Sequence, residues 1–495
     1  MLITQMDEQS GGYADNFLIN TDDYKTALSE IQFKVVNPLI NFNDIPVELE
    51  YRSGGKMTKP SLHVGQRKLF LSELQFLTNH LKNHKDVAYV VYAGAAPSNS
   101  KYELMALFPN VKFILVDPAE IKIFVEPNLP HYKFPKNHTV HKEICYIHSG
   151  YYDANKNVES FLTYNGTASW NTPKLAKFIK ESDFRFYIIE DFYDNDASKN
   201  LASLSNDAPI FFWSDIRSNV ANDNPKDLDI IWNLCMQYTW SVLLKANYSM
   251  YKYRVPYMSD KSHFLDNYKN EQYMRMFNYA KNELPKNKQI DFVGNYNKGK
   301  LLYPSGDIII QAFAPVASTE SRLTVNMKKC TIIDYDMKTY DNHYYYYNNV
   351  FRLFQSTRNP ISNKHTGFDH CNDCGLEYQI WYNYYNKYHN SVSNNVISHQ
   401  VEKLTEITNR SLKHNGHGHL FPANFDPLKN KNNQLLEYYN RILKFWDSKQ
   451  YDRKKMHKHG PGEIGYKNRN PIKQKSRKKV RVRKSRKLIR QQSGV

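Results

Sequence analysis

Cysteine is scarce in this chain: five residues in 495, where a disulfide framework would need a far higher density. No apolar run approaches twenty residues, and no basic n-region leads into an apolar h-region at the N-terminus. A spanning helix and a secretory leader are therefore not expected, and a reducing, non-secreted setting is. No internal repeat is visible either. What remains is a chain of ordinary hydrophobic content, 41%, with 38 tyrosines and many asparagines that make its surface polar and aromatic. That length and content suit a large core, held in more than one domain or in a single elaborated α/β domain with flanking arms.

Acidic residues are in short supply in only one place. The formal charge is +18, yet residues 451–495 hold 17 Lys and Arg against Asp452 and Glu463, a net of +15, which leaves +3 for residues 1–450. The segment "KQKSRKKVRVRKSRKLIRQQSGV" has little apolar content, so a disordered basic tail is expected. Such a tail binds polyanions without sequence preference by releasing counterions, and it serves equally as a localisation signal or a solubilising tail.

The stretch "VVYAGAAPSNSKYELMALFPNVKFILVDP" (residues 90–118) reads as a buried strand, a small-residue turn, a helix and a second strand ending in Asp117. Alternating strands and helices point to a parallel α/β sheet with its ligand beyond the carboxyl ends of the strands. The turn lacks the glycines of a dinucleotide fingerprint, having only Gly94, so a pyrophosphate is not expected. An acid at the end of the second strand suits a ribose diol. A nucleoside without phosphates, such as that of S-adenosylmethionine, meets both conditions.

Around this unit, residues 1–50 read as an irregular polar arm. An amphipathic helix begins near residue 60 in "SLHVGQRKLFLSELQFLTNHL". Further strands are expected at 185–193 and 208–216, the second ending near Asp215, and a helix at 226–246 precedes "YSMYKYRVPY". Strands at 299–304, 307–314 and 321–327 close the sheet with a hairpin at "PSGD". A Tyr- and Asn-rich helical region runs on to the tail.

Several of these segments carry a resemblance. "VGQRKLFLSEL", "VVYAGAAP", "VDP", "WSDIRS", "YKYRVPY", "QAFAPVASTESRL" and "FDHCNDCGLE" occur in the order, and near the spacing, of the poxvirus cap-specific mRNA 2'-O-methyltransferase family, which is also the poly(A) polymerase stimulatory subunit family. The resemblance covers roughly residues 48–390. Its inserts, near 150–205 and 259–298, suggest a large DNA virus outside the poxviruses. It implies a Rossmann-like class I S-adenosylmethionine-dependent methyltransferase fold with an N-terminal arm (1–50), a core at 51–425, a helical linker at 426–450 and the basic tail at 451–495. It also implies a viral setting, virion and host cytoplasm, and no membrane partner.

Residue by residue, the family's Lys-Asp-Lys-Glu tetrad falls on Lys68, Asp215, Lys252 and Glu320. A 2'-hydroxyl attacking a sulfonium methyl needs a base, and a lysine serves only if burial and a neighbouring cation lower its pKa. Lys252 takes that role, with Asp215 and Glu320 orienting the two lysines. Taken singly, a strand-end Asp is more often a cap and a lone Lys more often solvated surface. Four matches in order carry the assignment. Gln66, Tyr92, Gly94 and Asp117 match cofactor positions, while Ser98 stands where the family has a glycine and Ala119 where it has an arginine. For a cationic 7-methylguanine cap, stacking rings fall on Tyr51 and Tyr257 and accepting acids on Asp341 and Asp260. Arg217, Arg254, Ser318 and Arg322 match positions that hold the first transcribed nucleotides.

His370, Cys371 and Cys374 supply half of a zinc donor set by ligand type, and with no second Cys pair nearby reduced, unmetallated thiols are the expectation. Three functions remain compatible with these features. The first is an enzyme acting on the capped mRNA 5' end, and the second a subunit that holds single-stranded RNA for a poly(A) polymerase catalytic partner. The third is a nucleic-acid packer on a vestigial fold.

The tail yields the first prediction. Deleting residues 451–495 should lower sequence-independent RNA affinity sharply and flatten its salt dependence, by about 0.7 in the slope of log K against log salt for each phosphate the shortened chain no longer neutralises. Turnover at saturating capped RNA should not change. A salt titration of both chains on capped and uncapped RNA checks this, and an unaltered slope would assign the tail to localisation or to partner docking.

Overall fold

The computed structural model describes residues 38–45, 65–119, 121, 123, 144–147, 163–164, 167–168, 173–217, 227–257, 271–314, 318–352, 357–362, 368, 370–389 and 392–414. The expected linker at 426–450 and the basic tail lie outside the described residues, as do most of the N-terminal arm and part of each expected insert.

Helix α1 (Gly65–His80) leads into β1 (Ala88–Ala93), α2 (Lys101–Leu107) and β2 (Val111–Val116). The short strand β3 (Ile144–Ile147) and the two-residue pair β4 (Thr163–Tyr164) and β5 (Thr167–Ala168) follow. Next come α3 (Pro173–Glu181), β6 (Phe186–Ile189), α4 (Asn195–Leu201), β7 (Ile210–Ser214), α5 (Asp227–Leu243) and β8 (Tyr248–Tyr253). After α6 (Glu271–Glu283), the chain forms β9 (Lys300–Pro304), β10 (Asp307–Ile309), β11 (Ser321–Asn326) and β12 (Ile332–Asp336). It then continues through α7 (Met337–Tyr346), α8 (Asn372–Tyr388) and α9 (Asn394–His414).

Eight strands form the main sheet, in the order β10-β11-β8-β7-β1-β2-β6-β3. The six from β8 to β3 are parallel, while β11 runs antiparallel to both β8 and β10. This mixed α/β sheet is compatible with a Rossmann-like fold. Successive residues of β1 point to opposite faces: Tyr89, Val91 and Ala93 enter one core with α3, α4, α5 and α7, and Val90 and Tyr92 enter the other with α1, α2, α8 and α9. Strands buried on both faces read as continuous apolar runs, which is why "AYVVYA", "VKFILV" and "IFFWS" lack a polar alternation. Helix α5 is buried nearly all round and opens with Asp227 and Asp229, acids that favour a helix N-terminus. Asp194 and Asp336 cap α4 and α7 by accepting from the N–H groups of Ala197 and Thr339.

From β1 the chain moves outward to β2 and later returns to place β7 on the other side of β1. The carboxyl end of β1 is therefore a topological switch point, where open α/β sheets form their ligand crevice. The expected hairpin at "PSGD" is not formed. Strand β9 pairs with β12 in a separate two-stranded sheet, whereas β10 pairs with β11 in the main one. Gly306 makes the crossing possible, because a Cβ there would overlap the Thr324 carbonyl of β11. The strand expected at 307–314 is correspondingly short, ending at Ile309 before a turn in which Phe313 has a φ of 57°.

Helix α1 is clamped at both ends. Near its start, Arg67 donates from Nε and Nη2 to the two carboxylate oxygens of Glu377 on α8, at 2.6 and 2.8 Å, and from Nη1 to Thr405 on α9 at 2.8 Å. Near its end, the Lys387 ammonium donates to the Thr78 carbonyl, one of the last-turn carbonyls the helix cannot satisfy itself, and the Tyr388 hydroxyl donates to the Leu81 carbonyl just beyond it at 2.8 Å. The Arg67–Glu377 side chains are wholly buried. Such a pair is costly to break because the survivor keeps an uncompensated charge in the core. Glu377→Ala should destabilise the fold by about 3–5 kcal/mol, and a Glu377→Met, Arg67→Met double variant should recover much of that stability. Denaturant unfolding of the three chains checks this; a single variant as stable as the parent would mean that the clamp contributes nothing.

Candidate active site

Four strand ends converge at the switch point. Gly94 follows β1, Asp117 follows β2, Asp215 follows β7, and Arg254 follows β8. Because β11 is antiparallel, its amino end lies at the same edge: Ser321 pairs with Tyr253 and Arg322 with Lys252. Glu320, one residue before β11, is thereby brought beside Lys252. Lys68 comes from the first turn of α1, next to the clamped Arg67.

These elements gather all four tetrad residues. Lys68 Nζ lies 3.1 Å from Glu320 Oε1, and Lys252 Nζ lies 3.2 Å from Asp215 Oδ1 and 3.6 Å from Glu320 Oε2. Their side chains are 12% to 17% exposed, enough for a ligand to reach them and too little for full hydration. Two arginines complete the network: Arg322 Nη2 is 2.6 Å from Asp215 Oδ1, and Arg217 Nη2 is 3.5 Å from Glu320 Oε2. Four cations thus face two carboxylates.

The balance is legible in the titration of each group. Burial works to raise Asp215 and Glu320, but Arg322 and Lys252 outweigh it at Asp215, and Lys252, Lys68 and Arg217 outweigh it at Glu320. Both carboxyls are held below the usual carboxylate range, Glu320 well below. For Lys252, burial is the largest influence and lowers the pKa; Asp215 and Glu320 pull it up, and Arg217 and Arg322 push it down again. The net direction is down from 10.5, towards the neutral amine that a base requires.

Arg322, which the resemblance puts among the RNA contacts, is 1% exposed, and its Nη2 donates to Asp215 Oδ1. Arg217 sits in the same network, held to Glu320. Arg254 lies over the Tyr257 ring, 4.0 Å from its centroid, and the Ser318 hydroxyl accepts from the Glu320 N–H.

On the cofactor side, Gly94 has a φ of 80°, and an added Cβ would meet the Ile216 nitrogen at 2.9 Å and the Asp215 carbonyl carbon at 3.0 Å. The turn after β1 and the loop that carries Asp215 are packed backbone to backbone, and glycine permits it. Ser98 adopts a φ of 57°, a left-handed conformation costly for an L-residue, and its hydroxyl donates to the Ala95 carbonyl. The Asp117 carboxylate accepts from the N–H of Ala96 at 3.0 Å and of Ala119 at 2.7 Å, so it ties the two turns together. A carboxylate has about four lone-pair sites, which leaves acceptors for a diol. The Tyr92 ring is buried against Trp213, beside a Lys101–Glu73 ion pair that is itself buried. Gln66 lies in the first turn of α1, and its side chain is outside the described residues.

Of the cap residues, Tyr51 and Asp260 lie outside the described residues. Tyr257 is partly exposed. Its main-chain N–H donates to Asp227 Oδ1, and its hydroxyl accepts from Thr319. Asp341 is 4% exposed, and burial raises its carboxyl well above the usual range, with Arg254 and Thr319 opposing. Cys371 precedes α8 and Cys374 is buried in its first turn, and neither forms a disulfide. Among the described residues no group of three or more His, Cys, Asp or Glu is placed to hold a metal ion. No described helix is long and apolar enough to cross a membrane.

The fold is thus an α/β sheet with a charged cluster and a tight turn after β1 at its carboxyl edge. Residues 34–158 match the family described as poly A polymerase regulatory subunit, the same family that the sequence motifs resemble. The match spans α1, β1, α2 and β2, and with them Lys68, Gly94 and Asp117. No curated protein matches the chain.

The crowding at Gly94 is testable. Gly94→Ala should destabilise the chain by about 1–3 kcal/mol through strained backbone and push the Asp215 loop outward. Ser98→Gly should have no comparable cost, because it relieves a left-handed residue. Parallel denaturant titrations compare them, and a Gly94→Ala chain as stable as the parent would show that the two loops do not touch.

Proposed function

We propose that this protein is a cap-specific mRNA 2'-O-methyltransferase. It would move a methyl group from S-adenosylmethionine to the 2'-hydroxyl of the first transcribed nucleotide. The observation that carries this reading is the convergence of Lys68, Asp215, Lys252 and Glu320 from four separate elements on one point at the switch point of the sheet. A structural ion pair needs two partners; this cluster holds a partly buried lysine of lowered pKa between two carboxylates that stay ionised.

When bound, S-adenosylmethionine supplies an activated methyl on a sulfonium. The residues present suit it: Asp117, already tied to the Ala96 N–H, would accept from a ribose diol, and Gly94 packs the turn after β1 against the Asp215 loop. The Lys252 amine, whose pKa burial lowers, would accept the proton of the 2'-hydroxyl at Nζ. Glu320 holds Lys68 and Lys252 at a fixed separation, and Asp215 fixes Lys252 from the other side. Positioning of this kind is the main source of acceleration for an in-line transfer. Tyr257 supplies one stacking face for a cationic guanine and Asp341 an acceptor. The capped mRNA 5' end is the substrate.

The family match favours a second role, that of a poly(A) polymerase regulatory subunit with a catalytic polymerase as its partner. A subunit of that kind holds single-stranded RNA and has no need of a lowered lysine, so the two roles separate at one residue.

Lys252→Ala should abolish methyl transfer while leaving S-adenosylmethionine and capped-RNA affinity within about twofold, because a base acts on the transition state. Lys252→Arg should fail as well, since a guanidinium cannot give up its proton. In the parent chain turnover should rise with pH, and the rise should fall below 10.5, the value of an unperturbed lysine, because burial lowers Lys252. Tritiated methyl transfer to short capped RNA, with nuclease mapping of the cap, measures all three. A Lys252→Ala chain with parental turnover would refute the enzyme reading; RNA binding without methyl transfer in the parent would leave the subunit role.

A further inference from the structure

We infer that Asp227 is a positioning residue for cap recognition: its buried carboxylate pins the backbone of Tyr257 and couples it to Tyr296, so that the segment after α6 sets how well the site distinguishes a methylated cap. The inference rests on the cap reading of Tyr257 and deepens it.

Asp227 opens α5 and is buried. Its two oxygens point to different parts of the chain. Oδ1 accepts the main-chain N–H of Tyr257 at 3.1 Å, and Oδ2 accepts the phenol of Tyr296 at 2.8 Å. Tyr296 is 1% exposed, in a 3-10 turn (Tyr296–Lys298) within the segment that the sequence reads as an insert. A buried carboxylate must have its acceptors filled, and hydrogen bonds to a charged group are stronger than neutral ones. Neither donor is therefore incidental.

Tyr257 is also held at its ring and its hydroxyl. The Arg254 guanidinium lies over the ring, and Thr319 donates to the phenolic oxygen at 3.3 Å. Thr319 is the neighbour of Glu320, and its carbonyl accepts from Tyr340 beside Asp341. The stacking ring is thus referenced to the tetrad through Thr319 and to the insert through Asp227. A ring fixed before its ligand arrives loses less freedom on stacking, and this affects binding rather than chemistry. The hydrogen-bonded route from Tyr296 to the ring runs through Asp227 and the Tyr257 backbone.

The test uses the full chain with Asp227→Asn and Tyr296→Phe, and Tyr257→Ala as the reference for complete removal of the ring. Short RNAs carrying a 7-methylguanosine cap or an unmethylated cap serve as probes. The expected result is a rise in KM for the methylated cap of about tenfold in Asp227→Asn, the scale of one hydrogen bond to a charged group. The unmethylated-cap KM and kcat at saturation should stay at parental values. Tyr296→Phe should show a smaller rise in the same KM alone. Hydrogen exchange at the Tyr257 amide should quicken in Asp227→Asn. If exchange quickens and the KM ratio between caps does not move, the hydrogen bond is structural only and the inference is overturned. Equal rises for both caps, or a fall in kcat, overturn it as well. A parent chain that does not distinguish the caps sinks the cap reading itself, a result visible before any variant is compared.

Discussion

The antiparallel register of β11 against β8 is the constraint on which the site depends. It sets Arg322 opposite Lys252 and Ser321 opposite Tyr253. Side chains alternate along a strand, so a slip of one residue would turn Lys252 or Arg322 to the other face and scatter the cluster. Parallel pairing of β7 with β1 and β8 then carries Asp215 to the same edge. The tetrad is therefore built by sheet geometry more than by loops. Only Lys68 comes from a helix, and the Arg67–Glu377 clamp beside it fixes that helix.

Electrostatics then decides what the cluster can do. A solvated lysine would be almost wholly protonated near neutral pH and of no use as a base. Burial alone would lower it, but an isolated buried lysine is costly to the fold. Here Asp215 and Glu320 make the partly buried ammonium tolerable, while burial, with Arg217 and Arg322, prevents those two carboxylates from restoring an ordinary lysine. Burial is the largest influence and keeps the direction downward, with Arg217 and Arg322 adding to it. Arg322 is withdrawn from solvent and paired with Asp215.

Much of this arrangement is legible in the residues. The β1–α2–β2 unit shows itself through two doubly buried strands around a small-residue turn, and an acid at the second strand's end marks the crevice. The tetrad becomes visible through family resemblance, since nothing in its local sequence distinguishes Lys252 from a surface lysine. What stays hidden depends on pairing at a distance. "PSGD" has hairpin chemistry, yet the long-range partners of β9 and β10 lie in different sheets, and local turn preference cannot see that. Strand β3 escapes a sequence reading because four residues, "ICYI", give too short a pattern. Arg322 is an RNA-contact position by family resemblance; its burial and its ion pair with Asp215 follow from the long-range pairing of β11 with β8, which the residues alone do not display. Asp227 looks like a helix-opening acid, which it also is.

The family match and the tetrad divide the chain in an instructive way. The matched stretch holds Arg67 of the α1 clamp, the turn after β1 and Lys68, while Asp215, Lys252 and Glu320 come from beyond it. The first stretch supplies Lys68 and the turn after β1; the second adds the other three groups that the proposed methyl transfer needs. Their junction is the sheet, where β1 pairs with β7, and Gly94 allows the two backbones to touch. A binding role and a catalytic role can therefore share one scaffold without sharing every residue. Removal of the base leaves the scaffold intact, whereas a disturbance at the β1–β7 junction reaches both. That asymmetry would let the proposed enzyme and a regulatory subunit be one molecule, because the network around Lys252 is carried at the edge of the sheet.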